Sequence, residues 1–227
     1  MWITWKHEHT DFVAPLTLEQ KVNAFYEGTL GWQLHIADLV ANGGITFGEF
    51  KLGQPGYEVP SIRHSGFAVL HICLSYIELV GSLVISEPLS PFETFKAGVR
   101  VIPGLIDRSS INHAVLQRLY DGARCGLYHE GRIRPGVGLG QPPDGYAIAY
   151  VPRSEMIGIS PERLPRVLKA HLEQLRLQLL DPKEAQLQAR FEHRFDEGFA
   201  SEKVKEARGK RRSGGRTGAV NGRVAEE

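Results

Sequence analysis

In the stretch RLYDGARCGLYHEGRIRPG, residues 118–136, an arginine, a cysteine and a histidine crowd together as Arg124, Cys125 and His129. Histidine titrates near neutral pH and can move protons. Arginine keeps its charge and can hold a phosphate or stabilise charge developing on it. Such a pair suits cleavage of a phosphodiester by an internal ribose hydroxyl, which needs proton transfer and charge stabilisation and calls for no metal or cofactor. Geometry sets a condition on this chemistry. Five residues along an ideal α-helix amount to a rotation of about 140°, so the two side chains would not share a face. Either the last turn of the helix is distorted, for which Gly126 gives licence, or a second chain brings the groups together.

The elements that must position these groups can be read from apolar spacing. Val22, Phe25, Tyr26, Leu30, Ile36, Leu39 and Val40 recur at threes and fours, which predicts a helix over residues 18–42. Thr17 caps its start, Gly43 and Gly44 end it, and Gly28 and Gly31 weaken its middle. ITFGEFKLGQPGYEVP then reads as a loop or small β excursion. Residues 65–86 are apolar on almost every side, the mark of a helix surrounded by others. His64, His71 and Glu78 recur on it at sevens with Ser75 beside them, a polar stripe from which Glu78 could orient Arg124. Ser90, Pro91 and Glu93 open a shorter helix that Pro103 and Gly104 stop. A fourth helix runs from Ile111 to the stop at Gly131 and carries the Arg–His segment. Tyr146–Val151 and Met156–Ile159 are β-prone and can pair as a hairpin, with GVGLG at residues 136–140 as its approach. A helix from Pro161 to about Leu180 and a charged one from about Lys183 to Phe199 follow.

RCGLYH resembles the Arg-x4-His signature of the HEPN superfamily, small helical-bundle proteins found among toxin, antiviral and CRISPR-associated ribonucleases. The long apolar helix with an internal acid, Glu78 in LSYIELVGSLV, is similar to what those domains place before the signature helix. The resemblance covers roughly residues 64–180. It implies a mostly α fold, an up-and-down helical bundle carrying a small β-hairpin insertion. It also implies a homodimer in which two Arg124–His129 pairs line one cleft and act as a metal-independent endoribonuclease that leaves a 2′,3′-cyclic phosphate. Glu78 and Cys125 would support the pair, Arg132 and Arg134 would hold the RNA, and a cognate protein inhibitor would fit a toxin–antitoxin or defence role. Cys125 departs from the Asn, Asp or His that active members carry after the arginine, and a thiol is a weak hydrogen-bond donor.

On this reading residues 1–60 form an N-terminal extension with one helix packed on the bundle, 61–200 the bundle itself, and 201–227 a disordered basic tail. The tail sets eight lysines and arginines against four glutamates and has too little apolar surface to order itself. It could act as an RNA-gripping arm or as a solvated end. The chain as a whole, at a net charge of +1, gives no general electrostatic argument for a polyanion partner. Two cysteines, Cys73 and Cys125, are too few for a disulfide framework, and MWITWKHEHT lacks the apolar run of a secretory signal, so a cytoplasmic protein is expected. The one stretch long enough to span a bilayer, within residues 66–85, is interrupted by His71, Ser75, Tyr76 and Glu78 and reads as a core helix, with no membrane partner. His7 and His9 lack a third ligand in reach.

Two other readings stay open. Arg124 and His129 are cations at a helix C-terminus, where the helix dipole favours them without any catalysis. The chain would then be a non-catalytic HEPN-like module binding a protein or nucleotide, or an assembly subunit whose Arg124 and His129 bridge protomers.

Overall fold

A computed structural model describes residues 15–48, 54–85, 89–142 and 145–198; the basic tail and the His7–His9 pair lie outside them. The chain is mostly helical with a small sheet. Helix α1 spans Leu18–Thr29, and its start is a reciprocal cap: the Gln20 amide donates to Thr17 Oγ1 at 3.2 Å and the Thr17 amide to Gln20 Oε1 at 2.9 Å. At the weak middle flagged by Gly28 and Gly31 the helix widens into a π turn, Leu30–Leu34, before α2 continues over His35–Asn42. Gly43 stops it at a φ of +71°, where a Cβ would stand 2.9 Å from the Ser61 amide nitrogen. The β excursion that follows is a two-stranded antiparallel ribbon, β1 (Gly44–Ile45) with β2 (Glu58–Val59).

The central helix is α3, Gly66–Val84. It buries Val69, Leu70, Cys73, Leu74, Tyr76, Ile77, Val80 and Leu83, and although it is long and apolar enough to cross a membrane, half of that span is buried inside the fold. Against it lies α4, Pro91–Val101, capped by Ser90. The two backbones approach through a pair of glycines that the apolar pattern did not single out. A Cβ on Gly81 would stand 1.9 Å from the Thr94 carbonyl oxygen, and one on Gly98 would stand 1.9 Å from that of Ile77. No side chain fits there, so the helices pack backbone to backbone.

Helix α5, His113–Leu119, leads into a second and longer π-helical stretch, Tyr120–Glu130. Then come β3 (Val137–Leu139), β4 (Ile148–Val151) and β5 (Met156–Ile159), in the order β3-β5-β4. The β4–β5 hairpin is the one read from the sequence. GVGLG, however, is more than an approach: it supplies β3, which pairs parallel to β5 in the register Val137 to Ile157. Helix α6, Leu164–Leu180, buries Leu168, Leu172, Leu175 and Leu179. A 3-10 turn, Pro182–Glu184, leads to α7 over residues 185–198. α7 is fastened to α1 by Phe191 against Phe25 at 5.4 Å and by Lys21, which is 8% exposed and bridges Glu192 at 3.0 Å and Asp196 at 2.8 Å. Val22, Leu34 and Ala37 share one core with α3 and α6.

His171 sits in that core and shares a hydrogen bond with the Tyr76 hydroxyl at 2.9 Å. Burial pushes its pKa from 6.5 down to about 4 and holds the ring neutral. The unfolded chain therefore takes up a proton below pH 6.5 that the folded chain refuses until about pH 4, so stability falls as the pH drops through that window. The loss from this residue should reach about 2–3 kcal/mol. His171→Gln, which keeps a partner for Tyr76 and cannot titrate, should flatten this component when urea unfolding is measured at several pH values across the window. An unchanged slope would place the acid sensitivity elsewhere.

Candidate functional site

The Asn112 side chain accepts the Val115 amide at 2.9 Å and starts α5, which runs without a break into the π stretch that Gly131 closes at a φ of +67°. After that stop the chain folds back along the helix it has just left. The Arg132 amide donates to the Gly126 carbonyl at 3.3 Å and the Arg134 amide to that of Gly122 at 3.0 Å. This close return needs glycine on the helix side. A Cβ on Gly126 would stand 2.5 Å from the Arg132 carbonyl oxygen, and one on Gly122 would stand 2.6 Å from Val137 Cγ2. π-Helical stretches this long are rare, and the feature tends to occur at functional sites.

The π register decides how the Arg–His segment is displayed. Its hydrogen bonds join residues five apart, which winds the chain more slowly than an α-helix and brings residue 129 less far round from residue 124. The distortion expected near Gly126 is thus present over eleven residues.

Arg124 is held from two sides. Its Nε donates to Glu78 Oε1 at 2.7 Å and its Nη2 to Glu78 Oε2 at 3.1 Å, a forked pair whose side chains are 19% and 22% exposed. Below it the Tyr128 ring lies 4.4 Å from the guanidinium carbon, with Tyr120 at 5.8 Å. The hydrogen bond to Glu78 raises the Arg124 pKa further, so the charge is permanent. Glu78 takes two of the five guanidinium N–H groups, and the other three have no partner among the described residues.

His129 is exposed, and its imidazole has no hydrogen-bond, ion-pair or ring partner among the described residues. It follows the fixed cation by five residues on the same π-helical stretch. Cys125 lies beside Tyr120, also five residues away; burial first and the thiol second push the Tyr120 hydroxyl up to about 12. Arg132 and Arg134 flank Glu130, at 3.2 Å and 2.7 Å, and these exposed contacts leave both guanidinium groups at the surface. Their hydrogen bonds lower the Glu130 pKa, that of Arg134 first and that of Arg132 second.

The polar stripe on α3 is present from His71 onward. His71 packs its ring on Tyr128 at 4.8 Å, and Ser75 donates to the His71 carbonyl at 2.8 Å while sharing a hydrogen bond with the Tyr128 hydroxyl. His64 is not part of it: α3 begins at Gly66, and His64 precedes it at a φ of +62°. Tyr128 is the residue that sequence reasoning missed. The available signal was an aromatic ring four residues after the arginine, within helical reach of it. Among the described residues no group of His, Cys, Asp and Glu has the arrangement of a metal site. Depressions of about 300 and 420 Å³ open elsewhere on the surface and one of about 510 Å³ borders Asp121, Gly122 and Arg134, but neither Arg124 nor His129 lines any of the three.

Comparison of the chain with family models, curated proteins and solved structures finds no match. Its functional reading therefore rests on this geometry and on the signature resemblance.

Glu78→Ala should destabilise the fold by about 2 kcal/mol, because it leaves a half-buried guanidinium without its carboxylate. A double-mutant cycle with Arg124→Ala, read by chemical denaturation, should give a coupling of about 1–2 kcal/mol. A coupling near zero would mean that the forked pair does not persist in solution.

Proposed function

We propose that the chain is a HEPN-like, metal-independent endoribonuclease that acts as a homodimer in the cytoplasm. The observation that supports this best is the π register, which carries an exposed His129, without a partner among the described residues, on the same distorted stretch as an Arg124 already aimed by Glu78 and Tyr128. In the reaction His129 takes the proton of a ribose 2′-hydroxyl as that oxygen attacks the adjacent phosphorus. The bond from phosphorus to the 5′-oxygen breaks, the leaving oxygen takes a proton from solvent water, the imidazolium of His129 returns its proton to solvent, and the products end in a 2′,3′-cyclic phosphate and a 5′-hydroxyl. The free N–H groups of Arg124 bind the non-bridging oxygens, where negative charge grows. Pairing of two subunits would place two Arg124–His129 sets along one RNA strand. Arg132 and Arg134, both at the surface, suit contacts to the flanking phosphates. A toxin or defence role with a cognate protein inhibitor would keep such an enzyme silent until needed.

A second reading is favoured by two features: Glu78 already balances the Arg124 charge, and the residue after Arg124 is the thiol Cys125 rather than a strong donor. On that reading the same surface is a non-catalytic module for binding a protein or nucleotide.

Purified protein should cleave single-stranded RNA in the presence of a chelator. His129→Ala should lower the rate at least about 100-fold while stability changes by less than about 0.5 kcal/mol, since an exposed, unpartnered ring is removed. Cleavage that the chelator abolishes, or that survives His129→Ala, counts against the nuclease. If the parent protein is inert and Cys125→Asn gains cleavage, the scaffold is a silenced nuclease and the second reading holds for the natural chain.

A further inference from the structure

Away from the Arg–His site, a chamber of about 300 Å³ opens between the end of α4 and the start of α5. Its floor is apolar. Val99 and Leu116 are each 1% exposed and Ile106 4%, and half-buried Ile111 forms a wall. Its rim carries two exposed guanidinium groups, Arg100 and Arg108. Arg108 donates through Nη2 to the Arg100 carbonyl at 2.9 Å, which leaves the rest of its fork unused. The Arg100 side chain has no hydrogen bond or ion pair, and no carboxylate pairs with either residue among the described residues.

The chemistry of an occupant follows from these facts. An apolar floor open to water favours a compact hydrocarbon body. Two cations without a counter-charge at one rim favour a single anionic head, and the planar guanidinium fork matches a carboxylate. A helix C-terminus carries partial negative charge that would repel an anion, but at α4 the Arg108 bond to the Arg100 carbonyl offsets it. The volume lies at the lower end of the range for small-molecule sites, which restricts the body to a short chain or single ring. We propose that this chamber is a binding site for a small organic monocarboxylate with an apolar body of about four to eight carbons. The assignment is independent of the ribonuclease proposal, because neither Arg124 nor His129 borders the chamber.

The test is an amide chemical-shift titration of the full chain with three probes: hexanoate, hexanol and inorganic phosphate. Hexanoate should give saturable shifts at millimolar concentration, centred on Val99, Arg100, Ile106, Arg108, Ile111 and Leu116. Hexanol, which lacks the charge, and phosphate, which lacks the apolar body, should each bind at least about tenfold more weakly. Arg108→Gln should weaken hexanoate about tenfold, and so should Arg100→Gln, whose side chain makes no bond among the described residues and whose loss should leave the fold intact. The proposal is overturned if hexanol or phosphate matches hexanoate, if Arg100→Gln binds as the parent does, if the shifts map to residues outside the chamber, or if no probe saturates.

Discussion

The π-helical stretch that carries the site is bound along one side through two peptide carbonyls, those of Gly122 and Gly126, which accept amides from the chain returning beyond Gly131. The return runs so close that a single methyl group on either glycine would collide with it. That packing accompanies a helix in the five-residue register, a geometry that isolated sequences seldom adopt. In an α-helix of the same residues, Arg124 and His129 would point to different sides. The register that spaces the arginine and the histidine thus occurs together with the close meeting of one helix and the strand that follows it.

A second dependence ties the same arginine to the interior. Helix α3 is apolar nearly all round and is clamped to α4 by the contact of Gly81 with Gly98, so it forms a stiff base. Along its one polar stripe it offers His71, Ser75 and Glu78, and the π stretch answers with Tyr128 and Arg124. A forked ion pair at about one-fifth exposure contributes modest stability, yet its planar geometry fixes direction strongly. What the Glu78–Arg124 pair supplies is orientation: the guanidinium is held between a carboxylate and a ring before any ligand arrives.

Much of the helical plan was legible before any coordinates. Apolar spacing, the Thr17–Gln20 and Ser90–Glu93 caps and the Gly43 and Gly131 stops mark the helices, because each is a local property of a few neighbouring residues. Strand β3 was not legible: Val137–Leu139 is short and glycine-rich, and it becomes a strand only because Ile157 and Ile159 lie beside it. The close approach of α3 and α4 was equally hidden. Gly81 and Gly98 look like weak helix formers in sequence, and their value lies in a neighbouring backbone far along the chain.

For the site, the sequence by itself determined the chemical types and the order in which they arrive: an acid on an apolar helix, then arginine, thiol and histidine at the end of a later one. It also determined that a regular helix could not bring Arg124 and His129 to one side. Only the tertiary structure decided that the turn is distorted. The physical reason is that an α-helix and a π-helix differ by one residue in hydrogen-bond register, and here that difference goes with contacts to residues 132–137, outside the helix. Likewise, Tyr128 acquires its role beneath Arg124 from folding alone, since the stacking depends on His71 and Ser75 reaching it from another helix.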